Sequence, residues 1–185
     1  AMVELTRQIC EREGLGDLLA EGPSRAAEEI GPDAKAFVLD VKGQPLPMHE
    51  CRTRHGQALG YAVSPTGADH MHNLWDGGLA NDPVGDGLQS WGVYESVPET
   101  ELNANKVRAY KMQANWCWLG NSLGCCAFLP WTADQKIELV RTITGWHTDM
   151  RELMRIGERS VTLARVFNMR EGLGRSEDVL PGRMN

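Results

Sequence analysis

No apolar run in this sequence approaches the ~20 residues of a membrane-spanning helix. No block of like charge interrupts it either: 19 Lys and Arg stand against 25 Asp and Glu, a formal net charge of −6. Nucleic-acid binders need clustered cations to displace counterions, so neither a nucleic-acid partner nor a membrane is expected. Cysteine is sparse and odd in number, with five residues (Cys10, Cys51, Cys117, Cys125 and Cys126) and no Cys-x-x-Cys spacing. That argues against a disulfide framework or a self-contained zinc site and for a reducing, cytoplasmic setting. Phe and Tyr are scarce at three each, whereas Trp reaches six, a bias that points to buried or pocket-lining indoles. Repeats and low-complexity tracts are missing, no signal peptide is expected, and Ala1 ahead of Met2 reads as a cloning addition.

What is present suffices for a core. Apolar residues make up 42% and charged ones 24%, outside the disordered range, and 185 residues allow one compact unit or two small ones. Short helices are expected at Leu5–Glu13, at Asp17–Glu21 with Asp17 as N-cap, and at Arg25–Ile30 with Ser24 as N-cap and Gly31 as stop. Ala36–Val41 is the best strand candidate, ended by Lys42-Gly43, and Gln57–Ala62 reads as a short helix. From Leu74 to Thr100 the glycines Gly77, Gly78, Gly85, Gly87 and Gly92 with Pro83 and Pro98 predict a long irregular loop, a functional one given Trp75 and Trp91. Three stronger helices follow. One runs from Glu99 to about Leu119 with a buried C-terminal half; one starts at Thr132, with Gln135 completing a capping box, and stops at Gly145; the last starts at Thr148. The expected fold is mainly α and multihelical, with at most one or two short strands.

Chemistry concentrates in two places. His49-x-Cys51 and His70-x-His72 have the residue types of metal-ligand pairs, although their spacing matches no structural zinc pattern. Turn histidines bonded to backbone are the plainer reading of His49 and His55. His70 differs, because it follows the small-residue turn Thr66-Gly67-Ala68-Asp69 and is presented where a general acid or base near neutral pH is useful. Cys125-Cys126 follows Asn121-Ser122-Leu123-Gly124. Either thiol is a small buried apolar residue or one ligand of an iron–sulfur cluster completed from elsewhere. Acidic pairs such as Glu28-Glu29 read as solvated helix faces.

Several stretches taken together resemble the C-terminal part of the tungsten-containing aldehyde ferredoxin oxidoreductase family. They are Arg12-Glu13-Gly14-Leu15-Gly16-Asp17-Leu18-Leu19-Ala20-Glu21-Gly22, Lys42-Gly43-Gln44-Pro45-Leu46-Pro47, and Ala58-Leu59-Gly60-Tyr61-Ala62 with Gly67-Ala68-Asp69-His70. Leu123-Gly124-Cys125-Cys126-Ala127-Phe128 follows, then Gly157-Glu158-Arg159 through Phe167-Asn168-Met169-Arg170-Glu171-Gly172 to Asp178-Val179-Leu180-Pro181-Gly182-Arg183, all in the family's order.

The resemblance implies a helical segment over 1–40, the tail of the family's middle domain, packed as one unit with a C-terminal helical domain over 41–185. It implies oxidation of aldehydes or related oxo compounds at tungsten (or molybdenum) held by two pterin dithiolenes, with electrons leaving through a [4Fe-4S] cluster to ferredoxin. The family's Asp-x-x-Gly-Leu-Cys motif falls on Asn121 to Cys126. Cys126 takes the cluster-ligand position, Cys125 that of the leucine, and Asn121 replaces the pterin-side Asp; His70 takes the place of the histidine beside the tungsten. Cys51 stands where the family usually has Pro before Arg52, and Trp75 to Glu99 fits the family poorly. The N-terminal pterin-binding domain, its Cys-x-x-Cys-x-x-x-Cys run and the first Asp-x-x-Gly-Leu motif have no counterpart here. The chain alone is therefore expected to bind none of these cofactors and to be inactive, with an apolar interdomain surface around Trp116, Trp118 and Phe128-Leu129-Pro130-Trp131 able to drive homo-oligomerisation. The alternative is a stand-alone helical binding or assembly module on the same scaffold.

Overall fold

A computed structural model describes residues 1–84 and 86–184. Gly85, one of the glycines of the expected loop, lies outside the described residues. The mainly α expectation holds: among the described residues, ten α-helices and one two-stranded hairpin account for the regular structure, apart from two short 3-10 turns near the C-terminus.

Four short helices come first: α1 (Met2–Glu11), α2 (Leu15–Ala20), α3 (Pro23–Ile30) and α4 (Pro32–Lys35). Arg7 pairs with Glu4 and Glu11 along α1, the spacing at which helical side chains meet. Two expected caps are corrected. Gly14, not Asp17, precedes α2, and Pro23 takes the first position of α3 after Gly22, which displaces Ser24 from the cap. Proline loses nothing at that position, where the missing N–H would have no partner. Ser24 instead donates to Asp40 Oδ2 at 2.8 Å.

The expected strand over Ala36–Val41 shrinks to β1 (Asp40–Val41), paired antiparallel with β2 (Gln44–Pro45). Residues 36–39 leave the end of α4 in a turn, and Phe37 is exposed. Lys42 and Gly43 both take positive φ (54° and 76°), which makes the two-residue turn that closes the hairpin. Lys42 is held there through its side chain, which donates to Ala62 O at 2.5 Å and pairs with Asp178 at 2.9 Å.

Next come α5 (His55–Val63), α6 (Asp76–Ala80) and α7 (Asp86–Gln89). The stretch expected to be an irregular loop has a core of its own. Leu74, Leu79, Val84, Val93 and Val97 bury together against Ala109. Its anchor is polar: Asp76 accepts from the N–H groups of Gly56 (2.9 Å) and Gln57 (2.8 Å) at the start of α5 and pairs with Lys106 at 2.8 Å.

Three long helices complete the chain: α8 (Ala104–Ser122), α9 (Ala133–Thr144) and α10 (Met150–Arg170). Asn103 caps α8, so that helix starts later than Glu99, and Asp149 rather than Thr148 caps α10. The Thr132–Gln135 capping box and the left-handed Gly145 stop of α9 are as expected. Leu119, Val140 and Leu153 form the shared core of the three helices. α8 lies closely along α10 because Gly157 has no side chain; a Cβ there would sit 2.0 Å from the Asn115 carbonyl oxygen.

Candidate functional site

The C-terminal end of α8 builds one wall of a cleft of about 730 Å³. Gly124 ends this helix in the left-handed conformation (φ 68°). Its N–H donates to Asn121 O at 3.1 Å, and the Cys125 N–H donates to Gly120 O at 2.8 Å. This pair of bonds is the Schellman closure that glycine permits. It turns the chain so that Cys125 and Cys126 follow the helix end directly, and both line the cleft with Asn121, Cys117 and Trp116. The segment after α5 supplies Asp69, His72 and Trp75 to the facing wall, and the first turns of α9 supply Lys136.

The three residues assigned by motif position, Asn121, Cys125 and Cys126, thus meet in one cleft. Cys126 is exposed and Cys125 half-buried, and both are free thiols. Burial pushes the neighbouring Cys117 thiol up from its ordinary value. Trp116 and Trp118 are half-buried rather than enclosed, while Phe128 (86% exposed) and Leu129 (53%) form an apolar rim.

His70 lies elsewhere. Its ring packs against His49 at 4.5 Å and edge-on against Trp75 at 6.1 Å, and Trp75 is the residue that also lines the cleft. His72 is the histidine that reaches the cleft itself. Its Nδ1 meets the Asp69 carboxylate and its Nε2 meets the Asn121 side-chain amide, while its ring tilts over Trp118 at 4.8 Å. Burial raises the Asp69 carboxyl, but the His72 bond and the Met71 N–H (2.8 Å) outweigh it, and the net shift is downward. Asp69 is therefore an anion facing His72 Nδ1, and His72 Nε2 meets the Asn121 side-chain amide. Asp69, His72 and Asn121 form a polar chain that fixes the orientation of Asn121.

The two metal-ligand pairs suggested by spacing do not assemble. Cys51 is fully buried with Val41 and Tyr61, and His70 and His72 have different neighbours. Among the described residues no group of three or more His, Cys, Asp or Glu could hold a metal ion.

Lys136 was not visible as a site residue. It is 3% exposed, and its ammonium sits 3.5 Å above the Trp116 ring. Burial lowers its pKa from the usual lysine value. The available signal was periodicity: Lys136 occupies the same stripe of α9 as Val140, where an apolar residue is the norm. Trp131 lines the cleft as well, and its indole Nε1–H is buried without an acceptor among the described residues.

Residues 1–185 match the family model described as aldehyde ferredoxin oxidoreductase, domains 2 and 3. The chain is similar to the tungsten-containing aldehyde ferredoxin oxidoreductase of Pyrococcus abyssi, at 29% identity over 180 residues, 96% of this chain and 28% of that protein. It is similar to the protein of the same name from Pyrococcus furiosus, at 30% identity over 179 residues, 95% of this chain and 28% of that protein. A shorter stretch of 76 residues is 38% identical to the aliphatic sulfonate oxidoreductase, WOR-like subunit, of Pyrococcus furiosus, covering 38% of this chain and 12% of that protein. The chain thus spans 28% of the length of the tungsten-containing relatives.

Proposed function

The chain belongs to the aldehyde ferredoxin oxidoreductase family, and from that premise we propose that it forms the C-terminal helical part of an oxidoreductase acting on aldehydes or related oxo compounds, with ferredoxin as electron acceptor. The observation that carries the proposal is that Asn121, Cys125 and Cys126, the positions on which the family's motif falls, line one cleft. When bound, a tungsten (or molybdenum) bis-pterin and a [4Fe-4S] cluster supply the redox chemistry.

The residues present fit one wall of such a site. A cubane cluster takes about four cysteine ligands, and the exposed Cys126 thiol at the cleft offers one of them. The unsatisfied Trp131 Nε1–H and the Lys136 ammonium are donors suited to an electron-rich group. In this reading Cys126 would supply one ligand of the cluster. Asn121, oriented by His72 and Asp69, hydrogen-bonds a pterin, and Cys125 follows the Schellman turn on the same side. His70 is proposed for proton transfer at the aldehyde oxygen on its motif position alone, since here its ring packs against His49 and Trp75 beside the cleft. The half-buried indole of Trp116 limits water in the cleft. An N-terminal pterin-binding domain of the family's kind would close the cleft over the Phe128–Leu129 rim. Exposed to solvent, that rim makes the 185-residue chain self-associate. In this reading a helical segment 1–40 and a C-terminal domain 41–185 pack as one unit, which is supported by the pairing of Asp40 with Pro45 and by Arg183 over the Phe37 ring at 5.2 Å. The five free thiols favour a cytoplasmic setting.

The test is aldehyde-dependent ferredoxin reduction by the complete protein. His70→Ala should lower turnover with tungsten and iron content intact; unchanged turnover removes His70 from proton transfer. By itself the 185-residue chain should be inactive and bind no stoichiometric iron after anaerobic reconstitution. About four iron per chain would overturn that part.

A further inference from the structure

We propose that Cys125 and Cys126 form a dithiol that a small-molecule disulfide oxidises, reversibly, to a disulfide between the two. Both are free thiols at the cleft, with Cys126 exposed and Cys125 half-buried. Successive side chains on a helix do not face each other. These two lie beyond the end of α8, after the left-handed Gly124 turn, where that restriction is lifted. Consecutive Cα atoms are about 3.8 Å apart, closer than the ~4.4–6.8 Å usual for a disulfide, so the ring closes only if the peptide between the two residues turns. That peptide can turn. The Cys125 N–H donates to Gly120 O at 2.8 Å and the Leu129 N–H donates to Cys126 O at 3.3 Å, which pins the two ends. Between them, the Cys125 carbonyl and the Cys126 N–H take part in no backbone hydrogen bond among the described residues, so closure breaks none.

The exposed Cys126 sulfur attacks one sulfur of the small disulfide, which forms a mixed disulfide and releases one thiol. Cys125 then attacks the Cys126 sulfur, which forms the Cys125–Cys126 bond and releases the second thiol. Both cysteine protons end on the released thiols, and the small disulfide takes up the two electrons. The other cysteines are placed differently. Cys10 is exposed on α1, Cys51 is fully buried with Val41 and Tyr61, and the Cys117 sulfur accepts from Gln113 Nε2 at 3.4 Å. A bond closed against its preferred spacing is easily reduced, which suits a switch and not a permanent cross-link. The consequence rests on the reading above: Cys126 oxidised in this way would be withheld from the cluster.

The test treats the reduced 185-residue chain anaerobically with excess cystamine and reads the products by intact mass and peptide mapping. The peptide holding Cys125 and Cys126 should lose two hydrogens and carry no adduct, whereas Cys10 should keep a cysteamine adduct. Cys125→Leu removes the second thiol, so Cys126 should then retain its adduct. Cys117→Ser should oxidise like the unaltered chain. A lasting adduct on Cys126 of the unaltered chain, an unreactive Cys126, or a disulfide from either residue to Cys117 overturns the proposal. So does a Cys125→Leu chain that still sheds the adduct. Should Cys125→Leu fail to fold, Cys125→Ser makes the same comparison. The complete protein with its iron bound separates this inference from the reading it extends. Cys126 should there resist cystamine; ready oxidation would contradict its role as a cluster ligand and uphold the dithiol.

Discussion

Lys106 and Lys136 are both buried, and they are buried differently. Lys106, at the start of α8, spends all three ammonium hydrogens: on Asp76 at 2.8 Å, on Pro98 O at 2.6 Å and on Glu99 O at 2.9 Å. Asp76 in turn accepts from two N–H groups of α5, so the region is a closed polar knot joining α5, α6 and α8. Lys136, at the start of α9, has an aromatic face and an open cleft. The difference teaches that burial of a charge does not itself mark function. Lys106 is committed to holding three elements together, whereas Lys136 lines the cleft.

That contrast can be pressed experimentally. The largest effect is expected at the knot. Lys106→Met leaves the Asp76 carboxylate buried beside an apolar side chain and should cost ~3–5 kcal/mol, read as a lower urea midpoint. A loss below ~1 kcal/mol would remove the distinction between the two lysines. The helical frame comes next. Gly157→Ala forces a Cβ against the Asn115 carbonyl, 2.0 Å away in the present packing, and should cost ~1–3 kcal/mol as α10 moves off α8.

A smaller effect is expected where the closed network is partly wet. Asp178 is held by Lys42 at 2.9 Å and Arg165 at 2.7 Å, and Arg165 is 37% exposed, so Asp178→Asn should cost ~1–2 kcal/mol. Burial alone would raise the Asp178 carboxyl, but its two cations outweigh that and its folded pKa lies below the ordinary value. The sign follows: its stabilisation is complete above the unfolded pKa of about 3.9 and is lost as pH falls through the folded value. The stability gap between Asp178→Asn and the unaltered protein should therefore close on acidification; a gap that widens contradicts the assignment. The smallest effect belongs to Lys136. With no partner stranded by its removal, Lys136→Met should change stability by less than ~1 kcal/mol, and in the stabilising direction. A loss comparable to that of Lys106→Met would make it architectural too.

The sequence made the local features legible and the tertiary ones not. The Thr132–Gln135 box, the Gly145 stop and the Lys42-Gly43 turn obey rules that span a few residues. So does the Gly124 turn that sets Cys125 and Cys126 at the cleft. The misplaced caps at Asp17 and Ser24 show stronger local signals, Gly14 and Pro23, winning over weaker ones. Leu74, Leu79, Val84, Val93 and Val97 carry no helical or strand period. Their burial depends on Ala109 in a later helix, which is why glycine and proline made the stretch look like open loop. His70 and His72 share one turn. Which of them faces the cleft is decided by Asn121, 49 residues beyond His72 in sequence. Only the fold reveals that.

The most direct test of the functional account is the iron–sulfur signal of the complete protein after reduction, followed by electron paramagnetic resonance. Cys126→Ser should abolish or strongly alter the [4Fe-4S] signal and lower the iron content, whereas serine at the exposed Cys10 on α1 should leave both unchanged. A normal cluster signal with full iron content in Cys126→Ser would contradict the account, because the cleft would then lack the one cluster ligand assigned to it.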